Sequence, residues 1–228
     1  MSRFIIQNGE NLGNLKTVLK KVKDELTQKD KVREDAHQSM RKATSLSKQS
    51  ILLMHQKKYA KAGKMIEAAK EIISKLQGSA EEYPQIIYSG MFSAALQEYS
   101  EANILLGLIQ EARFVTPKEI KVPAADYVLG LADVIGEYRR LALDALREGE
   151  AAKGEECLKI MDEIYIELMA MDEAYMRVPG LRRKCDVARR IIETTRGDIT
   201  QEVRRNSLEN YLKQFEKEQR RKRQPRKG

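Results

Sequence analysis

Apolar residues recur every three or four positions along most of the chain, which is the spacing of one face of an α-helix. Between residues 32 and 55, for example, this face carries Ala36, Met40, Ala43 and Ile51. No convincing run of residues alternates between polar and apolar β-branched side chains, as a half-buried strand would. The pattern therefore predicts an all-α protein.

Prolines and glycines divide the helical pattern, because proline is tolerated in the first turn of a helix and disrupts its interior. The predicted helices span residues 12–28, 32–55, 59–76, 84–114, 123–149, 150–175, 179–195 and 199–219. Gly78 is expected to end the third helix, and Asp198 to cap the last one after a turn at Gly197. Thr116 and Glu119 have the spacing of a capping box. Long helices joined by short turns predict a single-domain antiparallel bundle.

Positive charge is concentrated at the C-terminal end of the sequence. The whole chain has a net charge of +8 and a pI near 9.3. Residues 213–228 hold eight basic and two acidic side chains, a net charge of +6, so the other 212 residues carry about +2. Such a segment favours a polyanionic partner such as nucleic acid. We expect a helical domain over residues 1–219 and a basic, disordered tail over 220–228. Three interpretations of the tail remain open: it binds RNA, it acts as a nuclear signal, or it is only a solvated segment.

The remaining composition argues against several classes of site. Cys157 and Cys185 lie far apart and are expected to be free thiols in a reducing cytoplasm. His37 and His55 are isolated, which argues against a zinc site of the His/Cys type. The N-terminus has too few apolar residues for a signal peptide, and the longest uncharged stretch, residues 83–97, is too short and polar to span a bilayer. We therefore expect a cytoplasmic protein with no membrane partner.

Two carboxylates interrupt the apolar face of the predicted helix 84–114. Glu98 and Glu101 share this face with residues such as Leu105 and Leu108. Burying an unpaired charge is costly, so either basic side chains from other helices or a bound cation must compensate. Positions i and i+3 of a helix point the same way, which lets both carboxylates reach one hard cation. A buried ion-pair cluster and a metal site both remain open on this pattern.

A second acidic pair, Asp133 and Glu137, lies on the polar face of the predicted helix 123–149. Taken alone, this pair is most simply part of a solvated surface. Gly130 and Gly136 lie on the same face and lack side chains that would keep a substrate backbone away. Combined with the first pair, these acids would form an oxygen-rich site for Mg²⁺ or Mn²⁺, able to polarise a phosphodiester and to lower the pKa of a bound water. The sequence contains no competing GxSxG, P-loop, HExxH or GxGxxG motif.

The two acidic segments resemble motifs of the translin family, in particular of its TRAX (translin-associated factor X) branch. Residues 96–102, Leu-Gln-Glu-Tyr-Ser-Glu-Ala, are similar to the Gln-Glu-Tyr-x-Glu-Ala motif of that branch. Residues 126–137 are similar to its Asp-Tyr-Leu-Leu-Gly-x-Ala-Asp-x-x-Gly-Glu motif. The runs 45–55 and 181–198 also resemble family positions, and the resemblance spans roughly residues 32–200.

This resemblance implies a fold of about seven helices, assembled into an octameric hollow shell. It also implies a metal-dependent endoribonuclease that cleaves single-stranded RNA, with Mg²⁺ or Mn²⁺ as cofactor. The metal-binding and catalytic residues that it implies are Glu98, Glu101, Asp133 and Glu137. The segment 116–122 is short beside the insert of animal TRAX, which suggests an archaeal relative that forms a homo-octamer without a translin partner.

Other functions remain open on the sequence. Arg33, Arg139 and Arg140 are candidate nucleic-acid-binding residues, chosen for their proximity to the acids in the pattern. The first alternative is a translin-like oligomer that binds single-stranded RNA or DNA without cleaving it, with the acids held in structural ion pairs. The second is a helical scaffold without nucleic acid. The chain has only 13 aromatic residues and no Trp, which argues against binding by base stacking.

Overall fold

The computed structural model describes residues 11–223, and within that range the chain forms eight α-helices and no strand. The helices are α1 (Asn11–His55), α2 (Tyr59–Ser79), α3 (Pro84–Ile87), α4 (Gly90–Glu111), α5 (Ala124–Arg147), α6 (Ala151–Met169), α7 (Glu173–Arg177) and α8 (Leu181–Arg223). Since α3 and α7 are only 4 and 5 residues long, six long helices carry the fold. The predicted all-α class is confirmed, and no helix in the described range is long and apolar enough to cross a membrane.

Two predicted helix ends are wrong, because no residue at either place disrupts the helix strongly enough to end it. α1 runs without interruption through residues 28–32, where the pattern predicts a break. α8 likewise continues through Gly197 and Asp198, so the predicted turn and helix cap do not form. A glycine inside a helix costs about 1 kcal/mol relative to alanine. This cost is smaller than the free energy gained by burying Ile192 and Ile199, which flank the glycine on α8.

Glycines with positive φ mark two of the chain reversals. Gly149 (φ 79°) precedes α6, and Gly180 (φ 89°) directly precedes α8. Asp172, with φ 50°, separates α6 from α7, so the predicted helix 150–175 is divided there. Glycine adopts this left-handed region without the steric penalty that other residues meet.

The remaining boundary differences are smaller. α2 passes through Gly78 and ends one residue later, and the predicted helix 84–114 is divided into α3 and α4. α8 continues to Arg223, so the first four residues of the predicted tail 220–228 are helical, whereas residues 224–228 lie outside the described range.

Helices α4 and α5 run in the same direction, although they follow each other along the chain. Ser93, near the start of α4, donates a hydrogen bond to Asp126, near the start of α5. Further along, Gly130 of α5 lies against Gln97 and Ser100 of α4. Residue numbers therefore increase together on the two helices. The pairs α1–α2 and α5–α6, which short turns connect, are antiparallel as predicted, so the bundle is mixed.

α1 and α8 share the direction of this central pair. The contacts that fix their order are Met40–Ser89 and Lys48–Glu98 between α1 and α4, and Asp133–Lys184 and Arg139–Thr195 between α5 and α8. Because the N-terminal half of α1 and the C-terminal half of α8 are mostly exposed, they extend beyond the bundle at opposite ends.

The crossover over residues 112–123 makes the parallel arrangement possible. The Thr116 backbone N–H donates to the Glu119 carboxylate at 2.5 Å, and the Glu119 backbone N–H donates to the Thr116 hydroxyl at 3.3 Å, as in the predicted capping box. The hydrogen bonds from Thr116, with a smaller contribution from Arg113, lower the pKa of Glu119 to about 2. The Tyr127 hydroxyl donates to the Val115 carbonyl at 2.7 Å. The box therefore closes a turn that returns the chain to the start of α5.

Gly130 allows α5 to lie directly on the backbone of α4. A Cβ at this position would stand 2.6 Å from the Gln97 carbonyl oxygen and 2.7 Å from the Ser100 Cβ, closer than atoms can pack. Gly130 thus makes room for a helix, and the expectation that it makes room for a substrate is wrong. A Cβ at Gly136 would meet nothing within 4 Å, so that position is open.

We expect Gly130→Ala to lower the free energy of unfolding by about 1–3 kcal/mol, because the added methyl group would overlap the α4 backbone. Gly136→Ala, on the same helix, is the matched control. Its methyl group meets no neighbour, so the higher helix propensity of alanine should raise stability by about 0.5–1 kcal/mol. Urea unfolding followed by circular dichroism measures both changes. A neutral or stabilising Gly130→Ala would contradict the close packing of α4 and α5.

Candidate functional site

The four acids singled out in the sequence line one pocket of about 520 Å³ between α1, α4 and α5. The parallel packing of α4 and α5 brings the acids of one helix beside those of the other. The pocket is lined by Lys48, Ile51, Leu52, Glu98, Glu101, Asp133, Glu137 and Arg140. Two acid pairs that are 32 residues or more apart in sequence thus form one cluster.

Glu101 is the most deeply buried of the four acids, with only 7% of its surface exposed. Burial is the largest reason that its pKa is raised to about 9. The carboxylates of the other three acids raise the pKa further, and Lys184 lowers it by a smaller amount. Within residues 11–223, no cationic group lies within ion-pairing distance of Glu101. The carboxyl group therefore keeps its proton at neutral pH unless positive charge is added to the pocket.

Each of the other three acids has a partner from another helix. The Lys48 ammonium lies 3.2 Å from a carboxylate oxygen of Glu98. Lys184 of α8 forms an ion pair with Asp133. The His55 Nε2 lies 2.5 Å from the Glu137 carboxylate. These contacts supply the basic partners that the ion-pair interpretation of the acids requires.

The donor chemistry of the pocket fits a hard divalent cation, but the placement of the side chains does not. Four carboxylates are the oxygen ligands that Mg²⁺ and Mn²⁺ prefer. As the side chains lie, no group of three or more His, Cys, Asp or Glu in the described part of the chain is arranged to hold a metal ion. Glu98 and Asp133 are instead paired with Lys48 and Lys184. A cation would have to replace at least part of these contacts.

Of the three arginines chosen from the sequence, the structure brings only Arg140 to the pocket. Arg139 points toward α8, where it donates to the Thr195 hydroxyl at 2.7 Å and pairs with Asp198. Arg33 is exposed and pairs with Asp30 on α1. It lies 15 residues before Lys48 on the same helix, a distance of roughly 22 Å at 1.5 Å per residue.

Sequence reasoning missed Lys48, His55 and Lys184. His55 is isolated in the sequence, since its partner Glu137 lies 82 residues away. Lys48 and His55 are seven residues apart on α1, which places them on the same face of the helix. The only available signal was that all three lie in runs that resemble the family, residues 45–55 and 181–198.

Comparison with known proteins gives a consistent result. The translin family model matches residues 14–195 of this chain. An uncharacterized protein of Methanocaldococcus jannaschii is 34% identical over 193 residues, which cover 84% of this chain and 85% of that protein.

Solved structures of similar fold include AfC3PO and its complex with duplex RNA. AfC3PO is 32% identical with a TM-score of 0.71, covering 81% of this chain and 96% of that one. The AfC3PO–duplex RNA complex is 31% identical with a TM-score of 0.71, covering 81% and 95%. Apo-NeC3PO, at 22% identity and a TM-score of 0.73 over 88% of this chain and 100% of that one, is similar in fold alone.

We expect Glu101→Gln to stabilise the cation-free protein at alkaline pH. The folded protein holds the Glu101 proton up to about pH 9, whereas the unfolded chain releases it near the ordinary value of 4.5. The stability that this carboxyl group contributes is therefore complete below pH 4.5 and falls as the pH rises toward 9. Glutamine does not ionise, so the melting temperature of the variant minus that of the wild type should grow over this range.

Thermal unfolding in EDTA between pH 4.5 and 9 measures this difference. Glu111→Gln is the matched control, because Glu111 is an exposed carboxylate on the same helix that pairs with Arg113 outside the pocket, and it should give no growing gain. Parallel pH curves for the wild type and Glu101→Gln would contradict the buried, proton-retaining carboxyl group.

Proposed function

The chain belongs to the translin family, and on that basis we propose that its acidic pocket is the site of a divalent-cation-dependent endoribonuclease. The observation that carries the proposal is the cluster itself. A carboxyl group that is 7% exposed stands among three further carboxylates contributed by two parallel helices. Such an arrangement is electrostatically costly in a purely structural core, and added positive charge would relieve it.

In this proposal Glu98, Glu101, Asp133 and Glu137 hold Mg²⁺ or Mn²⁺. When bound, the cation supplies Lewis-acid polarisation of a phosphodiester. The acids that accept it give up their lysine partners, so Lys48 and Lys184 become free to neutralise phosphate oxygens at the pocket. Arg140 lines the same pocket and contributes a further positive charge.

RNA is the proposed substrate class, and single-stranded RNA is the form that we propose is cleaved. The support is the similarity to AfC3PO, whose structure was solved with duplex RNA, together with the net charge of +8 on this chain. Because that complex contains a duplex, both strand forms have to be assayed. Single-stranded DNA is a further candidate for binding.

We also propose that the protein works as a homo-oligomer, specifically an octamer. Support comes from apolar stripes on the two helical arms that extend beyond the bundle. The exposed residues of the stripe on α1 are Leu15, Val18, Leu19, Val22 and Leu26, and those of the stripe on α8 are Leu208, Tyr211, Leu212 and Phe215. Both stripes have the spacing of one helix face, and a contiguous apolar patch of this kind is typical of an interaction surface.

The alternative function is binding of single-stranded RNA or DNA without cleavage. It is favoured by the ion pairs Glu98–Lys48 and Asp133–Lys184, since these already balance two of the acids with groups of the protein itself. In that case the acids stabilise the bundle and a divalent cation is unnecessary.

A cleavage assay separates the two functions. Labelled single-stranded and duplex RNA are incubated with the wild type in Mg²⁺, in Mn²⁺ and in EDTA. We expect cleavage only with a divalent cation, and Glu101→Gln should lower its rate at least about 10–100-fold, the loss typical even of residues that only support metal ligands. Glu111→Gln is the matched control, because Glu111 is an exposed carboxylate on the same helix that pairs with Arg113 outside the pocket.

Each outcome of this assay has a defined meaning. Cleavage that persists in EDTA or in Glu101→Gln would contradict the metal site. RNA binding without cleavage under any condition would support the alternative. Absence of both binding and cleavage would contradict both functions.

The oligomer proposal has its own test. We expect Leu19→Gln and Leu212→Gln to reduce the mass measured by light scattering, because each places a polar amide within an apolar stripe. Lys20→Gln is the matched control, since Lys20 lies beside Leu19 in sequence but outside the stripe. A monomeric wild type, or an unchanged mass in both leucine variants, would contradict assembly through these arms.

A further inference from the structure

His55 is an unusual residue at the edge of the acidic pocket. It is the last residue of α1, and only 3% of its side chain is exposed. Its Nε2 lies 2.5 Å from the Glu137 carboxylate, whereas its Nδ1 is buried without a hydrogen-bond partner among the residues described. The ring therefore has a single polar contact, and that contact is with one of the four acids.

His55 lies between the Glu137 carboxylate of the acidic pocket and a second pocket. His55 also lines a second pocket, of about 940 Å³, whose nearby walls include the buried side chains of Met54, Leu108 and Tyr138. Apolar and charged side chains both line this second pocket. A leucine or methionine would fill such a position without leaving a polar atom unsatisfied, so packing alone does not account for a histidine.

The tautomer of the ring follows from the same contacts. A proton on Nε2 can be donated to Glu137, which leaves only a bare lone pair at Nδ1. A proton on Nδ1 would instead leave a buried N–H without an acceptor, and such orphaned donors are rarer in proteins than under-satisfied acceptors. Of the two tautomers, the one that carries its proton on Nε2 is therefore favoured.

We propose that His55 is a positioning residue that holds the Glu137 carboxylate in place at the acidic pocket. One oxygen of Glu137 accepts the Nε2–H donor, which fixes the rotation of the carboxylate and leaves its remaining lone pairs for a divalent cation. Partners that orient carboxylate ligands in this way are a general feature of metal sites. The inference rests on the proposed function, because it assigns His55 a task within that same site.

His55 differs in kind from the two lysines of the pocket. Lys48 and Lys184 neutralise their acids and so compete with a bound cation for the same negative charge. The Nε2–H donor of His55 can keep its hydrogen bond to one oxygen of Glu137 when a cation binds the other oxygen. Within the residues described, His55 is therefore the partner of the cluster whose contact a bound cation need not replace.

Two amide substitutions test the proposal. The side-chain nitrogen of glutamine reaches the position of Nε2, whereas that of asparagine reaches only the position of Nδ1. His55→Gln should therefore retain the contact with Glu137 and bind Mn²⁺ nearly as tightly as the wild type. His55→Asn should lose the contact, and its Mn²⁺ affinity should fall by about 10–100-fold. His37→Gln, at the other histidine of the same helix, is the matched control and should leave the affinity unchanged.

Mn²⁺ binding is measured without RNA, by electron paramagnetic resonance of the free ion, and melting temperatures are recorded in parallel. A wild type that binds no Mn²⁺ would overturn the proposed function and this inference with it. A wild type that binds Mn²⁺ while His55→Asn binds it equally well would overturn the inference alone. Equal weakening in His55→Gln and His55→Asn would assign His55 to packing and overturn it too.

A measurement on the wild type keeps the test valid if both variants fail to fold. The chain has only two histidines, so protein labelled with ¹⁵N-histidine gives two sets of ring signals, which His37→Gln assigns. We expect His55 to carry its proton on Nε2 both without cation and with Mg²⁺. An Nε2 that carries no proton in either state would overturn the proposal.

Discussion

The close parallel packing of α4 against α5 is the constraint on which the acidic pocket depends. Because Gly130 has no side chain, α5 can lie directly on the α4 backbone around Gln97. Glu101 and Asp133 lie one turn further along the two helices and therefore become neighbours. The effect of the Asp133 carboxylate on the pKa of Glu101 reflects this proximity. Widening this contact would separate the acid pairs together with the helices. The same packing therefore determines the stability of the core and the geometry of the pocket.

Four carboxylates in one pocket repel one another, and the chain balances them with groups from two outer helices. α1 supplies Lys48 and His55, and α8 supplies Lys184. Glu101, at the bottom of the cluster, retains its proton instead of acquiring a counter-charge. In the proposed function, binding of a divalent cation and release of the lysines are coupled, because both draw on the same negative charge. Without the cation, the lysines stabilise the acids. With the cation bound, they are free to neutralise phosphate oxygens of the substrate.

Local sequence information was sufficient for the fold class and for one acid pair. The spacing of apolar residues identified the helices, and Glu98 and Glu101 were conspicuous because they interrupt an apolar face. The break at residues 28–32 and the turn at Gly197 were predicted wrongly, since packing along a long helix outweighs one weak breaker. Asp133 and Glu137 have the pattern of an ordinary solvated surface, and only the family resemblance assigns them to the site. Nothing in the local sequence predicts the role of His55, because that role depends on a contact with Glu137, 82 residues away.

The order of the helices along the chain also affects how the pocket forms during synthesis. α1, with Lys48 and His55, leaves the ribosome before either acid pair does, so Glu98 and Glu137 meet partners that already exist. Asp133 is different, because its partner lies 51 residues later, on the last helix. A nascent chain therefore carries an unbalanced carboxylate beside Glu101 until α8 docks. Docking of α8 completes the charge balance of the pocket, because it brings Lys184 to Asp133.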